Sequence, residues 1–412
     1  MSAIKVAILG FGTVGEGVYR TIQSHAEPLA AVLGKSVEVA AILVKNKQKQ
    51  RDIHSDVLVT TDFADILRLP ELDVVIEAIV DKNPSFGYLQ QAIERGCHII
   101  TANKEMFAHH GQELLEMANK QGVSVGYEAT VAGGIPVIQT LRQLLNINRV
   151  AEIQGILNGT SNFILTEMRE KQQSFAESLL LAQQLGYAEA DPTNDVEGFD
   201  AFYKAMILSR IAFGAEPDWN DVERQGITVI TSELIAAAEQ LGLRFKHLAS
   251  IRHDGELLTA SVKPVLVGKE NPFYHVEGVE NAVNVYSDIV GRITLQGPGA
   301  GMFPTASAII EDLVYVCQQQ HGEKQTTQGL IPRQTPNNEQ TEQAFWLIQG
   351  LPSDGKSLEV IWLQEVSERI FLVKAGQTKI TEFVNQHPEA FCFPIDGDVE
   401  LLTSDPAAIK AV

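Results

Sequence analysis

The chain has 412 residues, 45% apolar and 20% charged, with 32 Lys and Arg against 52 Asp and Glu and a net charge of −20. It is long enough for two or three domains and too acidic for a nucleic-acid or anionic-membrane surface, which would repel it at long range. Three cysteines without a CxxC pair fit a reducing compartment and form no zinc pattern; with no apolar run of ~18 residues and no basic leader before the first strand pattern, a cytoplasmic protein is expected.

Residues 4–9 (IKVAIL) form a short apolar run ending at glycine, and 14–24 repeat at helical spacing. VEVAAILV (37–44), DVVIEAI (73–79) and CHIIT (97–101) are further strand patterns. Between the last two, FGYLQQAIERG reads as an amphipathic helix closed by glycine. A helix over 111–121 and a strand over 123–127 follow. Strands alternating with helices predict βαβ units and a parallel sheet, so residues 1–135 are expected to form a doubly wound α/β domain of the Rossmann kind.

After ATVAGGIPVI the pattern changes. A helix at 136–145, a strand near 150–157, a helix opened by NGTSN, a helical stretch near 200–213 and strands near 258–267 and 283–286 predict a mixed α+β catalytic and dimerisation domain over 136–321. Its last helix, near 304–320, is expected to pack back on the first domain. The Gln-, Thr-, Asn- and Pro-rich stretch 322–343 reads as a linker. In the β-rich tail, 344–412, AFWLIQ, LEVIWLQ and IFLVKA are strand patterns and 377–386 a helix. Cutting the chain near residue 325 is expected to leave activity intact.

GFGTVG places Gly10, Gly12 and Gly15 in G-x-G-x-x-G spacing between a strand and a helix. In that context the first glycine serves a tight turn, the second lets a pyrophosphate approach the backbone, and the third lets helix and strand pack. The second strand ends in Lys45, with Lys47, Lys49 and Arg51 behind it and none of the carboxylates that hold an NAD ribose. NADP(H) is therefore favoured over NAD(H). TANKE follows the fourth strand pattern and sets Lys104 on the ligand edge of the sheet.

LGYAEADPTNDVEGFDAFYKAMIL gathers Glu189, Asp191, Asp195, Glu197 and Asp200 ahead of an apolar helix. Asp200 and Lys204 stand at i and i+4, the spacing of an ordinary surface salt bridge. The flanking Phe199, Phe202, Met206 and Ile207 instead predict a buried helix, where a desolvated lysine exchanges its proton nearer neutrality and the carboxylates grip an ammonium group. In NGTSN, Thr160 or Ser161 is the expected helix cap, with Asn158 and Gly159 turning the chain. QGPGAG (296–301) is a second glycine-rich turn suited to close backbone approach.

In this order and spacing, GFGTVG, TANKE, GYEATVAGGIP, NGTSNFIL, LGYAEADPTNDVEGFDAFYKAMIL and GPGAG resemble the homoserine dehydrogenase family over roughly residues 4–318. The resemblance implies NAD(P)(H)-dependent interconversion of L-aspartate 4-semialdehyde and L-homoserine, on the route to threonine and methionine, by a homodimer or homotetramer. It also implies residue roles. Gly10, Phe11, Gly12, Thr13, Val14, Gly15 and Gly301 would contact the dinucleotide, with Lys45 near the 2′-phosphate and Lys104 beside nicotinamide and substrate. Glu189, Asp195, Asp200 and Thr160 would bind the amino acid, and Lys204, oriented by Asp200, would be the proton donor. Glu128 with the carbonyls of Val131, Gly133 and Ile135 would match a monovalent cation site, for sodium.

Two departures stand out. EAIVDKNP (77–84) lacks the family's glycine pair before the proline, and the tail has no room for the first full helix of an ACT regulatory domain, so it reads as a shortened ACT-like module. Two rivals compete. An aspartate-semialdehyde dehydrogenase needs a nucleophilic cysteine, whereas Cys97 and Cys317 sit in apolar patterns. A non-enzymatic nucleotide sensor has no use for Lys104, Glu189, Asp200 and Lys204 together.

Overall fold

The run IKVAIL is apolar at almost every position because both faces of its strand are covered. In the computed structural model, which describes residues 3–80, 82–255, 257–319, 344–350 and 361–399, β1 (Ile4–Leu9) sends Ile4, Val6 and Ile8 into one apolar cluster and Ala7 and Leu9 into another. There follow α1 (Thr13–Ser24), α2 (Ala26–Leu33), β2 (Val37–Leu43), β3 (Leu58–Thr60), α3 (Phe63–Leu67), β4 (Val74–Glu77), α4 (Lys82–Glu94), β5 (His98–Thr101), α5 (Lys104–Gln121) and β6 (Val125–Gly126). The six strands are parallel, in the order β3-β2-β1-β4-β5-β6. This is a dinucleotide-binding order, with its ligand crevice at the carboxyl ends of β1 and β4. Periodicity alone did not show α2, α3 and β3, which are too short to display a repeat.

A one-turn 3-10 helix (Glu128–Thr130) leads to α6 (Val137–Leu144), β7 (Val150–Ile156), α7 (Gly159–Lys171), α8 (Phe175–Gln184), α9 (Thr193–Val196), α10 (Phe199–Phe213), β8 (Glu223–Arg224), α11 (Ser232–Gln240), β9 (Arg244–His253), β10 (Leu258–Val267), β11 (Glu280–Ser287), β12 (Gly291–Pro298) and α12 (Met302–Gln318). Helix α10 is wedged between the two sheets, so Ala201, Phe202, Ala205 and Met206 share one core with Met106 and Phe107 of α5 and with Ile153 and Ile251 of the second sheet. Helix α12 returns to the first sheet and lies on α1. Gly17 makes that approach possible: a Cβ there would lie 2.7 Å from Met302 Cγ.

The tail contributes β13 (Ala344–Gln349), β14 (Ile361–Ser367), β15 (Ile370–Ala375), α13 (Gln377–Gln386) and β16 (Phe391–Asp396). The proposed linker and residues 351–360 lie outside the described residues. The second sheet runs β12-β11-β7-β9-β10-β16-β13-β15-β14, with β16 joined in parallel to β10 through Leu266↔Ile395 and Val267↔Asp396. One face of the tail, with Leu347, Ile370, Leu372 and Phe393, shares a core with Leu165 of α7, Leu234 of α11 and Phe245 of β9. The rings of Phe245 and Phe393 meet edge-on, 5.1 Å between centroids. The other face, Trp346, Ile348 and Val373, is covered by Ile380 and Phe383 of α13. The expectation of a dispensable tail changes accordingly, because linker composition says nothing about strand pairing further along.

Beneath the start of α10, His247 of β9 is 2% exposed and donates from Nε2 to the Gln225 carbonyl at 2.9 Å. Burial pushes its pKa down from 6.5 to about 4. The unfolded chain therefore binds this proton first, and the contribution of His247 to stability, complete above pH 6.5, is lost as pH falls toward 4. Between pH 7 and 5 the wild type should lose about 2 kcal/mol more than His247→Gln, read from urea unfolding of both proteins. Equal losses would exclude this titration.

Candidate active site

The glycine-rich turn lies at the carboxyl end of β1. Gly10 has φ of +94°, and a Cβ there would lie 2.6 Å from the Ala78 carbonyl oxygen, so the turn is pressed against the chain leaving β4. A Cβ on Gly15 would strike the Gly10 carbonyl, whereas one on Gly12 would meet nothing within 4 Å. Gly12 thus opens onto free space at the N-terminus of α1, where unpaired N–H groups and the helix dipole favour an anion. Phe11 and Val14 are partly buried and Thr13 is exposed; the Phe11 ring packs edge-on against Tyr19. Lys45 is exposed just past β2. Arg51 closes the same basic turn by donating to the carbonyls of Asn46 at 2.9 Å and Lys49 at 2.8 Å.

At the next strand ends a buried carboxyl organises the edge of the sheet. Glu77 accepts from Ile79 N at 2.6 Å and Ser85 Oγ at 3.1 Å through one oxygen, and from Thr101 Oγ1 at 2.6 Å through the other. Burial pushes its pKa up to about 7. Thr101 in turn accepts from Asn103 N at 3.0 Å, and Asn103 caps α5 through Met106 N at 3.0 Å. Lys104 is thereby held as the first residue of α5. The segment EAIVDKNP, which lacks a glycine pair, is secured at its start by the Glu77 side chain.

Lys104 reaches across to the second unit, where Asp200 and Lys204 stand one turn apart on α10. Its ammonium pairs with Asp200 Oδ1, while Lys204 Nζ lies 2.8 Å from Asp200 Oδ2 and donates to the Leu157 carbonyl at 2.6 Å. Asp200 is 3% and Lys204 7% exposed, whereas Lys104 is partly open to solvent. Burial works to raise the Asp200 pKa, but the two ammonium groups outweigh it and hold the carboxyl below the usual range. The Asp200 charge holds the Lys104 pKa up. For Lys204, burial prevails over Asp200 and lowers it. Two lysines on one carboxylate therefore have opposite shifts, the pattern that separates acid–base roles in active sites.

The other predicted residues gather nearby. Asp195, on α9, is held by Asn158, whose Nδ2 donates to Asp195 Oδ1 at 2.7 Å and to Asp200 Oδ2 at 2.8 Å. Burial, and then Asp200, raises the Asp195 pKa. Glu189 is exposed, and its charge adds to the field on Lys104. Thr160 donates to the Tyr187 carbonyl at 2.6 Å. The cap of α7 is Asn158, which accepts from Ser161 N at 2.8 Å; it is neither Thr160 nor Ser161. A residue three places before a helical N–H is the capping position, and Asn is preferred there over Thr, so the cap was legible. Its bridge to two distant carboxylates was not.

Gly301, with φ of +119°, precedes α12, and the 297–301 turn meets the 131–135 loop: Gly134 N donates to the Pro298 carbonyl at 3.1 Å, and a Cβ on Gly133 would strike Gly299. Within that loop Val131 and Gly133 are buried, and among the described residues no hydrogen bond reaches either carbonyl oxygen. The Ile135 carbonyl accepts from Val137 N at 2.8 Å. Glu128 caps α6, accepting from Ile138 N and Gln139 N at 2.8 Å each, and burial followed by the Asp312 charge pushes its pKa up to about 7.

A phosphate-suited glycine turn and a lysine–carboxylate–lysine array, set at the same edge of a parallel sheet, define a dinucleotide-dependent oxidoreductase. Two family models match the chain: "Homoserine dehydrogenase, NAD binding domain" over residues 10–128 and "Homoserine dehydrogenase" over 136–314. A homoserine dehydrogenase of Bacillus subtilis is 43% identical over 318 residues, covering 77% of this chain and 73% of that protein. The crystal structure of one from Thiobacillus denitrificans aligns with a TM-score of 0.84 at 34% identity, over 96% of this chain and 98% of the other. A hyperthermophilic archaeal homoserine dehydrogenase in complex with NADPH aligns with a TM-score of 0.66 at 25% identity, over 76% and 98%. The chain belongs to the homoserine dehydrogenase family. Among the described residues no helix is long and apolar enough to cross a membrane.

Proposed function

We propose that the protein interconverts L-aspartate 4-semialdehyde and L-homoserine with NADP(H) in preference to NAD(H), as a cytoplasmic homodimer or homotetramer serving threonine and methionine synthesis. The observation that carries this reading is the Lys104–Asp200–Lys204 array, which draws one lysine from the dinucleotide domain and an acid–lysine pair from the other. When bound, the nicotinamide supplies or accepts the hydride. Lys204, its pKa lowered by burial, gives a proton to the developing alkoxide during reduction and takes it from the alcohol during oxidation. Lys104 stabilises negative charge on the same oxygen, and Asp200 orients both ammonium groups. Asp195, Glu189 and Asp200 receive the substrate ammonium, with Thr160 at its other end.

Gly10 to Gly15, Lys45, Lys104 and Gly301 line the dinucleotide on this reading. The basic turn after β2 supports the 2′-phosphate, and the complex of the archaeal relative with NADPH points the same way. The buried carbonyls of Val131 and Gly133, together with Glu128 and the Ile135 carbonyl, form a hard oxygen donor set suited to a monovalent ion such as sodium. In the tail, strand order β16-β13-β15-β14 with α13 before β16 supports a shortened ACT-like module. With purified protein at alkaline pH, homoserine should drive reduction of NADP+ with a kcat/KM about tenfold or more above that for NAD+, as one 2′-phosphate contact would give. Lys45→Ala should narrow that ratio. Absence of homoserine-dependent turnover with both dinucleotides would overturn the function, and equal use of both would overturn the Lys45 assignment.

A further inference from the structure

Resting on the reading of Asp195 and Asp200 as the groups that receive the substrate ammonium, we propose that Asn158 is the positioning residue that holds the two carboxylates side by side and favours the ionised form of Asp195. Asn158 is 6% exposed, and every polar atom of its amide is engaged. Its Oδ1 accepts from Ser161 N at 2.8 Å, and the two N–H groups of Nδ2 go one to Asp195 Oδ1 at 2.7 Å and one to Asp200 Oδ2 at 2.8 Å. The cap fixes the amide's orientation: flipped, it would turn its oxygen toward two carboxylates and its N–H groups toward the Ser161 N–H.

Neighbouring carboxylates shielded from bulk water, as buried Asp200 and half-buried Asp195 are, ordinarily share a proton, because both cannot be charged without compensation. Asp200 is compensated by Lys104 and Lys204. Asp195 makes no ion pair among the described residues; the two lysines act on it only through space, and Asn158 is the one side chain there that donates to its carboxylate. Without that donor, Asp195 is the member of the pair that takes up the proton, and the ammonium pocket loses a negative charge. The same Asp200 oxygen also faces Lys204, so Asn158 sets the angle at which Asp200 meets that lysine. Asn158 thereby selects for a substrate that carries an α-ammonium group.

Asn158→Asp tests this, because Asp is nearly isosteric and caps a helix as well as Asn does but offers neither carboxylate an amide donor. KM for homoserine should rise about tenfold or more, in line with losing hydrogen bonds to charged groups, while KM for the dinucleotide stays near wild type; the added carboxyl beside two others lowers the melting temperature of this variant. Asn158→Ser keeps a capping oxygen, is too short to bridge both acids and adds no charge. It should show the same split, and it supplies the readout if Asn158→Asp fails to fold. Wild-type KM for homoserine in both variants overturns the inference, and so does a lower melting temperature with KM unchanged, which would leave Asn158 only a cap. Asp200→Asn, measured alongside, separates the two readings: if it also retains wild-type KM and kcat, the assignment of the site itself is wrong.

Discussion

Lys204→Ala is expected to lower kcat for homoserine oxidation by roughly 10²–10⁴-fold, the usual worth of a positioned acid–base group, while NADPH still binds with wild-type affinity. The ammonium has three donors, of which two are used by the Leu157 carbonyl and Asp200; the third is available to a ligand oxygen. The pH profile carries the sign. Oxidation needs the neutral amine, so its rate should rise with pH; reduction needs the ammonium and should fall through the same range. Because burial lowers the Lys204 pKa, the half-rise should come below the 10.5 of an ordinary lysine. Steady-state rates and quenching of NADPH fluorescence measure the two halves. Turnover near the wild-type rate in the variant would remove Lys204 from the mechanism.

Deleting the tail after residue 319 is expected to destabilise the remaining protein severely. Leu347, Leu372 and Phe393 would no longer cover Leu165, Leu234 and Phe245, and β10 would lose β16 and become an open sheet edge. Uncovering several large apolar side chains costs about 4–6 kcal/mol, equivalent to a fall of ~10 °C or more in melting temperature for a unit of this size. Differential scanning fluorimetry and light scattering of the truncated and full chains would show it. A truncated protein that melts at the wild-type temperature would mean that the shared cluster contributes little.

Legibility followed the length scale of each signal. The alternation of strand and helix in residues 4–127 and the G-x-G-x-x-G turn are local patterns, and they located the parallel sheet and its ligand edge. The pairing of Asp200 with Lys204 was legible because four residues make one helical turn. Lys104 is ninety-six positions away in the chain from Asp200, so only the recognised family motifs joined them. Glu77 was missed because a lone acid at a strand end has no periodic signature; its donors come from Ile79, Ser85 and Thr101. Asn158 looked like turn chemistry and is that as well. The tail misled by composition: its linker-like preface stood out, while the parallel pairing of β16 with β10 depends on two dipeptides with no distinguishing pattern.

The return of α12 to the first sheet has a consequence for synthesis. Val18, Tyr19 and Ile22 of α1, with Ile8, Ile76 and Ile100 of the sheet, share a cluster with Ala306, Ile309, Ile310 and Leu313. All the strands of the nucleotide-binding unit have been translated by residue 126, yet part of its cover is encoded almost two hundred codons later. At ribosomal rates that greasy face waits roughly ten to forty seconds for its lid. That face stays uncovered while residues 127 to 301 are made, so the domain that begins first is completed only after most of the second domain has been synthesised.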